Sequence, residues 1–503
     1  MKILKTEQIR EADQATMKKE PILSIDLMER ASKAFFDAFK RLIKKQEKVM
    51  VFCGMGNNGG DGLAAARMLA SSGYDVAVYK ICHSEKSSED FSINEKRYLK
   101  LRKAKFTEVK SKNDLPAFEE GTTLIDAMFG SGLSRPLEGF PAEVVKHIND
   151  GKSRVVALDM PSGLMGEDNT RNTPETIVKA DYTFTFQLPK LSFLLPENAH
   201  FVGNWQVIDI GLDQDFIQQT DTPYHFLQKE DLQDSFRYRN KFDHKNTYGH
   251  ALILAGSYGK SGAAVLASKA ALQVGAGLVT VHLPRANYLA QQISCPECMV
   301  SVDEDEEIFT GIKDISKYAV VGAGPGLGME KQTQNGLKLL IQNSGLPVVL
   351  DADALNILSE NPTWLSFLPP GSILTPHVGE FNRLAGKTNT GWERIQKGKE
   401  LAFRFRCYIV LKGAHTAIIT PDQQVVFNST GNPGMATAGA GDVLTGMITG
   451  MLAQGYSPFY SAMAGVYLHG FAGDMAARRK PPESLVAGDI LHFISKAIQK
   501  TFY

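Results

Sequence analysis

Asn432-Pro-Gly-Met-Ala-Thr-Ala-Gly439-Ala-Gly441-Asp442-Val-Leu-Thr-Gly446 is the stretch on which the reading of this chain turns. Gly439 and Gly441 stand directly before an apolar run, so the segment reads as a tight turn opening a helix. A helix start offers unpaired backbone N–H groups and the positive end of the dipole, which together make an anion hole. Asp442 falls in the first turn, where it can take a proton from a hydroxyl undergoing phosphoryl transfer. An Asp at this position is also a common helix cap. The flanking glycines and the preceding Asn-Pro-Gly favour the phosphate site, because a cap requires none of them.

Outward from this segment, the chain reads as two α/β blocks. Short apolar runs at 252–255, 278–282, 319–321, 348–350, 372–374 and 408–411 precede it. A similar series fills the first 211 residues, with strands expected at 48–53, 76–81, 122–125, 155–158, 182–186 and 205–211 and helices over 63–71 and 142–149. Such alternation implies parallel strands joined by crossover helices, with ligands beyond the carboxyl ends of the strands. Residues 213–236 are rich in Gln and Asp and have no sustained apolar period, as a linker does, with room for a short helix in it. The expected division is therefore 1–212, a linker over 213–236, and 237–503.

Lys+Arg and Asp+Glu are both 55, so no excess of positive charge invites nucleic acid. The charged N-terminus lacks the apolar core of a signal peptide, and no run reaches the roughly 20 apolar residues of a bilayer span. Five cysteines in a chain of 503 argue for a reducing compartment, so a cytoplasmic protein without a membrane partner is expected. Cys295-Pro-Glu-Cys298 has CxxC spacing but no second ligand pair for zinc, and reads as two thiols in a loop.

In the first block, Gly54-Met-Gly56-Asn57-Asn58-Gly59-Gly60-Asp61-Gly62 follows a strand and opens another helix. Gly54-x-Gly56-x-x-Gly59 satisfies the dinucleotide fingerprint formally. The acid expected at the end of the next strand is missing, since Asp75 stands at its beginning. That weakens an ordinary NAD dehydrogenase but not a phosphate-bearing ligand. Asp126 and Asp159 close two further strands, where an isolated Asp is commonly a cap or turn former. Sharing the carboxyl edge of one parallel sheet with Asn58 gives them more weight. Asn58, Asp126 and Ser162 all supply oxygen, which suits a hard monovalent cation, and Asp159 is left as a carboxylate for proton transfer.

Asn57 to Gly62, Phe129-Gly-Ser-Gly-Leu-Ser-Arg-Pro136 and Leu158-Asp-Met-Pro-Ser-Gly163 together resemble the NAD(P)H-hydrate epimerase family. The resemblance implies a Rossmann-like three-layer domain that interconverts the R and S forms of the 6-hydroxylated nicotinamide. It implies substrate contacts from Asn57, Asn58, Gly59, Gly60 and Asp61, and from Gly130, Ser131, Gly132, Leu133, Ser134, Arg135 and Pro136. Asp159 would bind the substrate and exchange protons, and potassium would sit on Asn58, Asp126 and Ser162. The segment around Asp442 resembles the ribokinase-like superfamily and, more narrowly, the ADP/ATP-dependent NAD(P)H-hydrate dehydratases. Ala255-Gly-Ser-Tyr-Gly-Lys-Ser-Gly-Ala263, Gly322 to Gly328, Asp351-Ala-Asp353, Thr375-Pro-His377-Val-Gly-Glu380 and Lys412 to Thr416 follow in that family's order. This implies a ribokinase-like α/β/α domain in which Lys412, Gly413, Ala414, His415, Thr416 and Gly441 meet ADP or ATP with Mg2+. Ala263, Gly324, Gly326, His377 and Asp442 would meet the hydrated dinucleotide, with Asp442 catalytic. Thr416 stands where the family often carries Asp. A homo-oligomer is the expected assembly.

The two activities fit one chain chemically. Hydration at C6 destroys hydride donation, and hydroxide is a poor leaving group that phosphorylation converts into a good one. The ring nitrogen lone pair then expels it, and a proton is lost from the neighbouring carbon. A phosphoryl-transfer site aligns only one face of the ring, so an epimerase is needed for the other. The alternative is a ribokinase-like small-alcohol kinase carrying a non-catalytic N-terminal binding domain.

Overall fold

The apolar runs of the first half pair in register into one seven-stranded sheet. In chain order the strands of the computed structural model, which describes all residues Met1–Tyr503, are β1 (Lys48–Cys53), β2 (Asp75–Ile81), β3 (Lys105–Val109), β4 (Thr122–Ala127), β5 (Arg154–Leu158), β6 (Tyr182–Phe186) and β7 (Asn204–Ile208). Their order is β3-β2-β1-β4-β5-β6-β7, and every pairing is parallel. This is a doubly wound sheet whose order reverses between β1 and β4, so the loops after these strands diverge and open a crevice. Strand β3, KFTEV, has no counterpart among the expected strands. It lies at the sheet edge with most side chains exposed, so it carries no apolar run to read.

The helix after β1 spans Asn57–Ser71 and begins well before the apolar pattern at 63–71, because its glycines form its first turns. They are there for close packing. A Cβ on Gly59 would lie 1.9 Å from the Gly54 carbonyl oxygen, and one on Gly54 would lie 2.0 Å from that of Met128.

The chain divides into two compact units, Met1–Tyr224 and His225–Tyr503. The second is built on β8 (Tyr224–Phe226), β9 (His250–Leu254), β10 (Leu278–Leu283), β11 (Met299–Val302), β12 (Val320–Ala323), β13 (Val348–Leu350), β14 (Ile373–Leu374), β15 (Tyr408–Leu411), β16 (Ala417–Ile419) and β17 (Val425–Phe427). The sheet order is β11-β10-β9-β12-β13-β14-β15-β16-β17-β8. The strands from β9 to β15 pair in parallel, as the sequence implies, whereas β15-β16 and β16-β17 are antiparallel. Strands β16 and β17 have three residues each, too few for a readable period.

Helix Ala440–Ala453 is buried along almost its whole length and lies against helix Ser261–Gln273. A Cβ on Gly446 would lie 2.0 Å from the Ala267 carbonyl oxygen. Gly446→Ala should therefore push the helices apart and lower stability by about 1–3 kcal/mol, the usual cost of overpacking. A thermal midpoint equal to that of the unmodified chain would show that the pair separates without cost.

Residues 213–236 hold more structure than the linker with a short helix that their composition suggests. They hold helix Gln214–Gln219, β8 and helix Glu230–Gln233. Ile217 packs in the core of the first unit, and Leu227 and Leu232 in that of the second. Single apolar anchors leave no periodicity, which is why the strand and the docking of these residues into the two cores are invisible in sequence. Cys295 and Cys298 lie in a loop, between helix Tyr288–Ser294 and β11, as their sequence suggests, and both are buried there with their sulfurs 3.0 Å apart. No helix is long and apolar enough to cross a membrane.

Candidate functional site

The loops after β1, β4 and β5 bound a cleft of about 610 Å³ at the switch point of the first sheet. Asn57, Asn58, Asp61, Gly130, Ser131, Gly132, Leu133 and Asp159 all line it. Gly59 and Gly60 do not, since their α-carbons pack against the Gly54 carbonyl and the Met28 sulfur. Ser134, Arg135 and Pro136 lie beyond the lining part of their loop.

Asp159 has φ +66°, a left-handed conformation that costs a non-glycine residue about 1–3 kcal/mol and is stored where the fold over-determines it. Its Oδ1 accepts hydrogen bonds from Thr185 Oγ1 (3.1 Å) and the Phe186 N–H (3.2 Å), and lies 3.1 Å from Lys190 Nζ. Its Oδ2 accepts from the Ser131 N–H at 3.3 Å. Burial alone would raise this carboxyl, but the Lys190 charge and the converging donors outweigh it and hold the group below the usual carboxylate range.

Asp126 accepts from the Ser162 N–H (2.7 Å) on Oδ2 and from Ser162 Oγ (2.6 Å) on Oδ1. Ser162 Oγ in turn accepts from the Phe129 N–H at 2.9 Å. Burial pushes Asp126 up to about 6, against these hydrogen bonds. The side-chain amide nitrogen of Asn58 is buried with no hydrogen-bond partner, beneath Gly130. Sequence reasoning overlooked Arg10, Asp13 and Lys190, which also line the cleft. They are isolated charged residues in a charged helix and a loop, and no motif marks them.

In the second unit, Asp442 sits in the first turn of helix Ala440–Ala453, after Gly439 in the left-handed region. No side chain caps this helix start. Burial, reinforced by the charge of Asp351, pushes Asp442 up to about 6 against the pull of Lys412. Lys412 Nζ is 2.7 Å from Asp351 Oδ1 and 3.8 Å from Glu380 Oε2, and Thr445 Oγ1 donates to Asp351 Oδ2 at 2.7 Å. A Cβ on Gly441 would lie 3.4 Å from Lys412 Nζ, so this ammonium stands directly beside the helix start. Lys412 to Thr416 form the turn joining β15 and β16. Gly413 and Ala414 are exposed there, and Thr416 Oγ1 donates to the Gly413 carbonyl. His415 is half-buried, with Nδ1 3.1 Å from the Asn428 carbonyl.

Gly324 and Gly326 approach the same place from β12. A Cβ on Gly324 would lie 1.8 Å from the Asp351 carbonyl oxygen, and one on Gly326 would lie 3.3 Å from Ala263 Cβ. His377 caps helix Val378–Ala385, its Nδ1 accepting from the Gly379 N–H (2.9 Å) and the Glu380 N–H (3.3 Å). Its Nε2 lies 3.4 Å from Glu380 Oε1, which links it to Lys412 through one carboxylate. Asp351, Glu380 and Thr445, which the sequence offers only as members of their motifs, complete the cluster with His469, which no motif marks. His469 is held by a 2.9 Å contact from Nε2 to the Ala440 carbonyl, and burial pushes it down to about 4.

Known proteins match both halves. The NAD(P)H-hydrate dehydratase family matches residues 251–496, and the YjeF-related protein N-terminus family matches residues 24–192. The bifunctional NAD(P)H-hydrate repair enzyme Nnr of Moorella thermoacetica is 36% identical over 94% of this chain and 92% of its own length. That of Thermofilum pendens is 34% identical over 99% of this chain and 96% of its own. A solved structure of ADP/ATP-dependent NAD(P)H-hydrate dehydratase from Bacillus subtilis, co-crystallized with ATP/Mg2+, is 29% identical over 55% of this chain and 98% of that one, with a TM-score of 0.48. A small-alcohol kinase with an idle N-terminal domain does not account for matches that run through both halves. The chain belongs to the bifunctional NAD(P)H-hydrate repair enzymes, with a Rossmann-like half that epimerises hydrated NAD(P)H and a ribokinase-like half that dehydrates it at the expense of ADP or ATP.

Proposed function

We propose that the N-terminal cleft holds the hydrated nicotinamide against Asp159, and that Asp442 is the base of nucleotide-driven dehydration. The observation that carries the first assignment is Asp159 itself, kept ionised by Lys190 at the floor of the cleft and locked in a strained backbone. It accepts the proton of the C6 hydroxyl, and the Ser131 N–H orients its second oxygen. In the second unit, Lys412 and the N–H groups at the start of helix Ala440–Ala453 face the phosphoryl group. Asp442 then takes the hydroxyl proton as the new P–O bond forms.

Potassium fits Asn58, Asp126 and Ser162. An unpartnered buried amide turns into an oxygen donor by a simple flip, and the other two groups are hard oxygens with no soft ligand among them. When bound, the cation supplies positive charge beneath the 128–132 loop and steadies it. Mg2+ would arrive with the nucleotide and supply charge neutralisation on the phosphates that Lys412 and the helix start face. Five cysteines in a chain of 503 residues fit a reducing, cytoplasmic setting.

R/S exchange followed by chromatography tests the epimerase assignment. Asp159→Ala should slow it by about two to four orders of magnitude, and potassium-free buffer should slow the unmodified chain. Unchanged rates in both would overturn the assignment. With ADP or ATP supplied, absorbing NADH and free phosphate should appear together. A stable phosphorylated product would instead indicate a kinase.

A further inference from the structure

We propose that Asp13, on helix Thr6–Lys19, is a second catalytic residue of the epimerisation site, exchanging a proton with ring nitrogen N1 while Asp159 exchanges one with the C6 hydroxyl. The inference rests on the reading of the cleft given above. Asp13 and Asp159 line the same cavity from different elements, a helix and a strand end. The Asp13 carboxyl is half-buried and makes no hydrogen bond, so neither oxygen is committed to holding the fold. The charged and titratable groups around it are Asp159 and Lys190, Asp61 on helix Asn57–Ser71, and Arg10 and His83 elsewhere in the lining.

Burial and the Asp159 charge push Asp13 up to about 6, against the pull of Lys190, whereas Asp159 is held low. Two carboxyls driven apart in this way are suited to be acid and base in one site. Asp61 is also driven up by burial, but it accepts a hydrogen bond from Ser32 Oγ (3.3 Å) and is tied to helix Ser24–Leu42. Asp13 is the carboxyl that is both free and close enough to neutrality to release its proton.

The step balances without a further reactant. Asp159 removes the hydroxyl proton, C6–O becomes a carbonyl, and the C6–N1 bond breaks with its electron pair moving to N1. Asp13 delivers its proton there, leaving an open aldehyde and a conjugated N–H. Rotation about C5–C6 presents the other carbonyl face. N1 re-adds while its proton returns to Asp13 and that of Asp159 returns to oxygen, giving the opposite epimer.

The test measures R/S exchange by the full chain without nucleotide, from pH 5 to 9. Asp13→Asn should slow exchange by about two orders of magnitude or more with little change in KM, and Asp13→Glu should recover part of the rate. The unmodified chain should lose rate as pH rises through about 6, where Asp13 deprotonates, and Asp13→Asn should lack that limb. Exchange at the normal rate in Asp13→Asn, with Asp159→Ala inactive, would overturn this inference and leave the cleft assignment standing. Normal exchange in both variants would overturn the two together. A slower Asp13→Asn with raised KM and an unaltered pH profile would make Asp13 a structural or binding group, and that too overturns it.

Discussion

Asp442→Asn is expected to lose nucleotide-driven dehydration by about two to four orders of magnitude, the usual effect of removing a general base. R/S exchange should be untouched, because every residue assigned to it lies in the other unit. The argument is geometric first. Asp442 lies in the first turn of a helix whose start no side chain caps, so the carboxyl has no structural duty there. Isosteric Asn keeps the volume and removes only the ability to take a proton.

Two pH signatures follow, with opposite senses. A base raised to about 6 is ionised only above that value, so dehydration should fall as pH drops through about 6. For stability, a folded carboxyl raised above its ordinary 3.8 favours the protonated form. That contribution is fully present below the unfolded value and is lost as pH rises through about 6. Above it the buried charge is a liability that Asn lacks. The variant should be more stable at pH 8 by roughly 1 to 3 kcal/mol, visible as a raised thermal midpoint. A folded variant that still dehydrates at a near-normal rate would reduce Asp442 to a structural residue.

Cutting the chain between Tyr224 and His225 is expected to separate the two activities completely. Each piece has its own sheet and its own buried core. The choice of bond matters. The Ile3 N–H donates to the Tyr224 carbonyl, and Thr222 Oγ1 donates to the Ile3 carbonyl, so ending at 220 would strip the first unit. The Leu227 N–H donates to the Phe427 carbonyl, so starting at 230 would strip the second. Residues 1–224 should exchange R and S forms without nucleotide. Residues 225–503 should dehydrate only the S form when ADP or ATP is present, and a mixture should consume both epimers. A C-terminal piece that folds yet stays inactive until the other is added would mean that the sites share residues.

Sequence by itself determined the features that depend on neighbouring residues. Gly439 to Gly446 and Gly54 to Gly62 announce turns into helices, because left-handed backbone, close approach and helix-start anion binding are local properties. Buried parallel strands such as β1, β13 and β15 were legible for the same reason, as continuous apolar runs. Edge strand β3, the short pair β16 and β17, and the anchors within 213–236 were not, since exposed or very short elements leave no period. Only the tertiary structure decided which charges meet. Lys412 and Asp351 are 61 positions apart, and Thr445 and Asp351 are 94 apart. Lys190 and Asp13 reach Asp159 through the order of the strands and the packing of an N-terminal helix. The protonation state of a carboxylate depends on burial and on charges a few ångströms away, and neither is a function of sequence distance.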